Sequence, residues 1–305
     1  MSSVSRKNII ITGAGGLIGT HLLDLLKNKR QYTVIGTYQD TFPPVTGRNI
    51  TYIKTDLAKK QGWKKIPLVC VDAIIHCAAL IPSSFFGQED KAAGRANSLI
   101  DGQAIEYAMK KKCRLIYFSS SGVYGMGGHA GCDENSGLHP SGGYLRNKVA
   151  FEKVIRGMNG EFKYHIFRIS APYGPFQKRD SVVSVFVRNA LGNKPILYYG
   201  TGARTQDFIY AKDVACACIC SLDNDSYGIY NIASGNPVSM KDLAVMVKRL
   251  SGSKSVVALA GIADPQESFR AFLDISKAER LLRWKPAYSL ERGLKEFIRH
   301  LKRQE

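Results

Sequence analysis

No stretch of this 305-residue chain approaches the about 18 consecutive apolar residues that a membrane span needs. The longest candidate, 256–263, is far too short. The opening residues pass through the short run 9–11 directly into glycines, so no apolar stretch of about 7–15 residues marks a secretory leader. Cysteine is sparse and odd in number, seven in all, with no disulfide spacing, which points to a reducing cytoplasm. Cys216, Cys218 and Cys220 alternate, whereas zinc sites pair their cysteines as C-x₂₋₄-C, and the six histidines form no H-x-x-x-H pair. No metal is expected.

Acidic residues are also short: 25 Asp and Glu against 43 Lys and Arg, a formal charge of +18. The excess lies in the short runs 27–30, 59–65, 110–114 and 299–303, which end helices or fall in loops, where cations suit the helix dipole. None is interleaved with aromatics as a single-strand nucleic-acid platform requires. A solvated surface is the better reading, and neither nucleic acid nor membrane is an expected partner. The field still favours anionic, including phosphorylated, ligands.

What is present is a 45% hydrophobic chain with 22% charge, ordinary for a globular protein, and long enough for two domains. Short β-branched runs at 8–12, 32–37, 50–54, 71–76, 114–119 and 164–169 alternate with helical patterns at 17–29, 91–112 and 144–158. Such alternation implies an α/β fold, a doubly wound parallel sheet covered on both faces. After Tyr173 the pattern breaks at Gly192, Pro195, Gly200 and Gly202. We therefore expect a Rossmann domain over 1–170, a smaller substrate domain over 171–305, and a return of 205–233 to the first.

Gly13-Ala-Gly15-Gly16-Leu17-Ile18-Gly19 follows the first strand and opens the first helix, spaced G-x-x-G-x-x-G. Gly13 permits the tight turn, Gly16 lets a diphosphate approach the backbone, and Gly19 lets helix pack on strand. Tyr38 stands where such folds place a ribose-binding acid, with Asp40 two residues on and no arginine for a 2′-phosphate. NAD is favoured and NADP left open. Asp56 suits either an adenine amine or a helix cap. The strongest constellation is Ser119-Ser120-Ser121-Gly-Val-Tyr ending a strand, followed by Tyr144-x-x-x-Lys148. Tyrosine and lysine four apart share one helix face, and an ammonium beside a phenol lowers its pKa from about 10.

On these motifs the chain resembles the extended short-chain dehydrogenases/reductases, specifically the NAD-dependent nucleotide-sugar epimerase/dehydratase family. Further matching landmarks are His76-Cys-Ala-Ala79, Asn97, Arg168, Tyr173-Gly-Pro175, Gly200-Thr-Gly202, Asp207-Phe-Ile-Tyr210, Asp213-Val-Ala215 and Arg283-Trp-Lys-Pro286. The resemblance implies that Ser120 is the catalytic hydroxyl and Tyr144 the acid/base. Lys148 then binds the nicotinamide ribose and tunes Tyr144. It also implies cofactor contacts at Gly13, Gly16, Leu17, Ile18, Gly19, Tyr38, Asp56, Leu57, Ala78, Ala79 and Asn97, and substrate contacts at Ser84 and Ser121.

The departures narrow the reaction. Family dehydratases carry an acid pair directly after the catalytic hydroxyl, where this chain has Ser121 and Gly122, so dehydration is disfavoured. Ala171 and Gln206 replace an asparagine and an arginine that normally touch the substrate's diphosphate, leaving Arg204, Arg179, Lys178 or Arg270 to substitute. The expected function is a sugar-nucleotide epimerase acting at C4. A 4-keto-sugar reductase is the alternative, and a non-catalytic NAD(P)-binding regulator the third reading. A homodimer is left open.

Overall fold

A computed structural model describes residues 6–67, 70–81, 91–125, 131–158, 160–270 and 272–304. Its main sheet grows from short runs whose central residues are largely apolar on both faces. In β1 (Lys7–Thr12), Ile9 and Ile11 face one core while Ile10 faces the other, which is why the run does not alternate with polar residues. The other strands of this sheet are β2 (Tyr32–Tyr38), β3 (Ile50–Lys54), β4 (Ala73–His76), β5 (Arg114–Ser120), β6 (Tyr164–Ile169) and β10 (Gly228–Ile232). All seven are parallel, in the order β10-β6-β5-β4-β1-β2-β3. The chain reverses its direction of travel across the sheet between β1 and β4, the crevice where such folds bind ligands.

Helices cover both faces. Helix α1 (Leu17–Leu26) packs with α6 (Ala211–Leu222) on one side, through Leu22, Leu23, Val214 and Cys218. On the other lie α2 (Lys60–Lys64), α3 (Lys91–Lys111) and α4 (Gly142–Gly157), through Trp63, Ala104, Ile105 and Ile155. The expected helix 17–29 stops at Leu26 because Asn28 turns left-handed, with φ of 63°. Cys218 is buried while Cys216 and Cys220 are half-buried, as small apolar fillers of α6.

The remaining chain forms a third core over short strands: β7 (Ala171–Tyr173), β8 (Ile196–Tyr198), β9 (Thr205–Tyr210), β11 (Pro237–Ser239) and β12 (Val257–Leu259). Three helices close it: α5 (Val182–Leu191), α7 (Met240–Ser251) and α8 (Leu290–Lys302). Sequence periodicity passes over these three, yet each has a serine cap: Ser181, Ser239 and Ser289 accept from Ser184, Asp242 and Arg292 amides. The segment 205–233 divides. Its β10 joins the seven-stranded sheet and α6 packs on α1, but β9 pairs with β7 and β11 in a separate three-stranded sheet. No helix among the described residues is long and apolar enough to cross a membrane.

Candidate active site

The glycine turn after β1 has little room for side chains. Gly13 sits at φ of +61°, and a Cβ there would lie 2.8 Å from the Cα and N of Ala78. A Cβ on Gly19 would lie 2.5 Å from the Gly13 carbonyl oxygen, so this glycine seats the helix on the turn rather than on the strand. Gly16 is exposed and opens α1 with no side-chain cap and no acid in the first turn. The first amides of α1, from half-buried Leu17 and Ile18 onward, are therefore available to an anion. This cradle fits a dinucleotide diphosphate. Lys178 donates from Nζ to the Gly15 carbonyl at 2.6 Å, which brings it to the glycine turn.

Around the cradle the other cofactor candidates take different places. Tyr38 is half-buried at the end of β2, its ring edge-on to Phe42. Asp56 accepts from the Ala58 amide at 3.0 Å and pairs with Lys59 at 3.2 Å, so its carboxylate shapes the turn into α2. The Leu57 side chain is core. Ala78 and Ala79 follow β4 half-buried, the Ala78 amide donating to Thr12 Oγ1 at 3.1 Å. Asn97 is buried and clamps Leu80, accepting from its amide and donating to its carbonyl, both at 2.7 Å.

Strand β5 and helix α4 carry the candidate reactive groups. Because β5 and β6 are parallel, the connecting α4 runs back along the sheet, so stepping from Lys148 to Tyr144 and from Tyr117 to Ser120 leads the same way, toward the carboxyl ends. Lys148 is buried, its Nζ 4.5 Å from the Tyr117 ring centroid and 5.7 Å from that of Tyr144. Ser120 Oγ accepts from the Gly122 amide at 3.1 Å, capping the turn Ser121–Tyr124 and leaving its own O–H to donate outward.

Lys148 also meets a residue that sequence reasoning did not single out. Its Nζ donates to Asp101 Oδ2 at 3.1 Å, and the same oxygen accepts from Tyr117 at 2.8 Å. Asp101 Oδ1 lies 3.1 Å from His76 Nε2, and His76 Nδ1 lies 2.9 Å from Thr12 Oγ1. The available signal was a carboxylate on the stripe of α3 that otherwise buries Ile100, Ala104 and Ile105. Burial by itself would raise the Asp101 carboxyl, but Lys148, His76 and Tyr117 outweigh it and hold it at about 2. Burial pulls Lys148 down, and Asp101 and Tyr144 more than restore it, leaving it above the usual lysine value. Burial pushes the Tyr144 phenol up, Lys148 recovers only part, and Asp101 adds to the rise. The expected lowering of Tyr144 by its lysine neighbour is thus reversed in the folded protein, because desolvation and a second charge join the pair.

Beside β5 opens a cleft lined among others by Ser121, Tyr124, Ala171, Gln206, Asp207, Phe269, Arg270 and Phe272. Arg270 is exposed on its rim, donating to the Glu267 and Phe269 carbonyls. Arg204 turns away: it pairs with Asp264 at 2.8 Å and bonds Gln266 at 3.1 Å, and it is not among the lining residues. It does not replace the missing arginine at position 206. Arg179 is exposed. Ser84 lies outside the described residues. The lining carboxylate Asp207 is occupied by the Ser234 and Gly235 amides and Ser170. Among the described residues no group of three or more His, Cys, Asp or Glu could hold a metal.

A glycine turn at the switch point that opens a helix without a side-chain cap, in a chain with a tyrosine–lysine pair on α4 and a serine ending β5, defines a dinucleotide-dependent enzyme. The family model for the NAD dependent epimerase/dehydratase family matches residues 9–233, most of the chain. The chain belongs to this family. It is 30% identical over 302 residues to a putative UDP-glucose 4-epimerase of Methanocaldococcus jannaschii, covering 96% of this chain and 98% of that one. It is 28% identical to the dTDP-4-dehydro-6-deoxyglucose reductase of Escherichia coli, covering 98% and 99%. The structure of a UDP-glucuronic acid 4-epimerase from Bacillus cereus, solved with UDP-glucuronic acid and NAD, superposes with a TM-score of 0.84 at 25% identity, covering 98% and 100%.

Proposed function

We propose that this enzyme inverts C4 of a nucleotide-diphosphate sugar, with Ser120, Tyr144 and Lys148 as its reactive groups. The observation that carries the reading is the Tyr144–Lys148 pair on α4 together with Ser120 at the end of β5; of the dehydratase acid positions that follow, Ser121 lines the cleft and Gly122 has no side chain, and the cleft's Asp207 is engaged by the Ser234 and Gly235 amides. NAD held on the glycine turn would supply a hydride acceptor and donor at C4. The Ser120 O–H donates to the C4 oxygen, and Tyr144, acting as phenolate in the loaded enzyme, takes the hydroxyl proton on Oη as the carbonyl forms. After the 4-keto sugar turns over, the same Tyr144 returns the proton to the oxygen, so the protein ends as it began. Lys148 holds positive charge beneath the phenol through the cycle. The relatives' UDP-sugars make UDP-glucose, UDP-N-acetylglucosamine and UDP-glucuronic acid the first substrates to try.

Incubating each in deuterated water and reading the sugar by proton NMR tests the proposal. The C4 epimer should accumulate with its C4 hydrogen retained, because hydride never exchanges with solvent. No epimer from any of them, with steady oxidation of NADPH by a 4-keto sugar nucleotide, would instead establish the reductase reading, which the Escherichia coli relative favours. The seven cysteines, none in a disulfide, fit our placement of the protein in the reducing cytoplasm.

A further inference from the structure

Asp101 is fully buried in the middle of α3, in a site with its own reason to hold a cation. We propose that Asp101 is a positioning residue for the Tyr144–Lys148 pair: its carboxylate fixes the lysine ammonium over Tyr117 and cancels the positive charge that the Tyr144 hydroxyl would otherwise feel. The inference rests on the assignment of Tyr144 as the acid/base.

Both oxygens of the Asp101 carboxylate are engaged. Oδ2 accepts from Lys148 and from the Tyr117 hydroxyl. A carboxylate only accepts, so His76 must present Nε2–H to Oδ1, which leaves Nδ1 to accept from the Thr12 hydroxyl. Thr12 Oγ1 in turn accepts from the Ala78 amide, at the turn where Gly13 packs against Ala78 without space for a side chain. One hydrogen-bonded chain thus joins the backbone of the cofactor turn to the lysine, across β1, β4 and α3.

The charges that bear on the pair come from four elements. His76 of β4 and Tyr117 of β5 face Asp101 directly, as does Lys148 of α4. Tyr144 and Glu152 flank the lysine on α4, and Glu152 is matched by buried Arg168 of β6 and by Ser119. Two buried ion pairs, Asp101–Lys148 and Glu152–Arg168, match the buried lysine and arginine charges of this cluster. Tyr144 therefore keeps its proton in the ligand-free protein; a cationic ligand bound beside it would favour the phenolate.

The test is made on ligand-free protein, so it stands apart from any turnover assay. Tyr144 ionisation is read from phenolate absorbance at about 295 nm, as the difference between each protein and its Tyr144→Phe derivative. Asp101→Asn removes the negative charge at nearly constant shape and should lower the Tyr144 midpoint by one pH unit or more, with Asp101→Glu restoring it. An unchanged or higher midpoint overturns the proposal. A merely structural aspartate would change stability without moving that midpoint. Should Asp101→Asn fail to fold, the Lys148 ammonium signal is followed by nitrogen NMR in the wild-type protein, identified by its loss in Lys148→Arg. It should persist past the ordinary lysine midpoint of about 10.4, and loss below that pH overturns the ion pair. If the titrations behave as expected but no UDP-sugar is epimerised, the reaction assigned above is wrong and this electrostatic role stands.

Discussion

Gly13→Ala adds one methyl group at the glycine turn, and its consequence can be worked out from the geometry. The residue sits at φ of +61°, where a Cβ costs about 1–2 kcal/mol against its following carbonyl. The new Cβ would also stand 2.8 Å from Ala78 Cα and N, and these are backbone atoms that no rotamer change can move. Restoring ordinary contact at 3.4 Å requires the two segments to part, and forced overpacking of this kind costs about 1–3 kcal/mol. Together the substitution should destabilise by roughly 2–5 kcal/mol. Parting the turn from Ala78 also shifts the first amides of α1 from the diphosphate. Loss of one charged hydrogen bond, about 1.5–3 kcal/mol, should weaken NAD about 10-fold or more. The control is Gly94→Ala in α3, where an added Cβ meets nothing within 4 Å. There the same methyl should stabilise by about 0.5–1 kcal/mol through helix propensity alone. Urea unfolding gives both stabilities, and calorimetric titration with NAD gives the affinity. Gly13→Ala with wild-type stability and wild-type NAD affinity would refute the account of the cradle.

Tyr144→Phe should leave substrate binding nearly intact while lowering turnover by about 10²-fold or more, the usual loss of a general acid/base; steady-state kinetics showing only a few-fold change would remove Tyr144 from the chemistry. Arg204→Ala should leave KM within about 3-fold of wild type, yet cost about 1–3 kcal/mol, because it strips buried Asp264 of its partner; a tenfold rise in KM at unchanged stability would return Arg204 to the substrate. His165, stacked on Tyr230, is held down to about 3 by burial, and His21 to about 4 for the same reason. Both depressed values mean that stability is fully present above the unfolded histidine value of about 6.5 and falls with pH below it, by roughly 1.4 kcal/mol per unit for each residue until its folded value is reached. His165→Phe should lower that slope by roughly 1.4 kcal/mol per pH unit between about pH 6 and 4 in urea titrations, and an unaltered slope would mean that the ring is not buried neutral.

The glycine turn, the doubly wound sheet and the Tyr144–Lys148 spacing are local patterns, and local patterns are legible in a sequence. Gly13 and Gly19 follow a β-branched run within a few residues; the positive φ of Gly13 and the contact of Gly19 with the Gly13 carbonyl lie within the same turn, whereas the approach of Ala78 to Gly13 comes only with the fold. The alternating apolar runs likewise carry their own statement that both faces of each strand are covered. Helices α5, α7 and α8 were less legible because their apolar stripes are short, and their beginnings lie in single serine caps. What no local pattern contained was the company each charge keeps. Arg204 reads as a spare cation two residues from position 206 until the fold brings Asp264 against it, 60 residues later in the chain. Asp101 reads as one more acid on a helix until β4, β5 and α4 enclose it with His76, Tyr117 and Lys148. The sign of the Tyr144 shift turned on the same fact: a spacing of four residues specifies one neighbour, whereas a pKa sums the field of every charge within a few ångströms and the solvent that burial has removed.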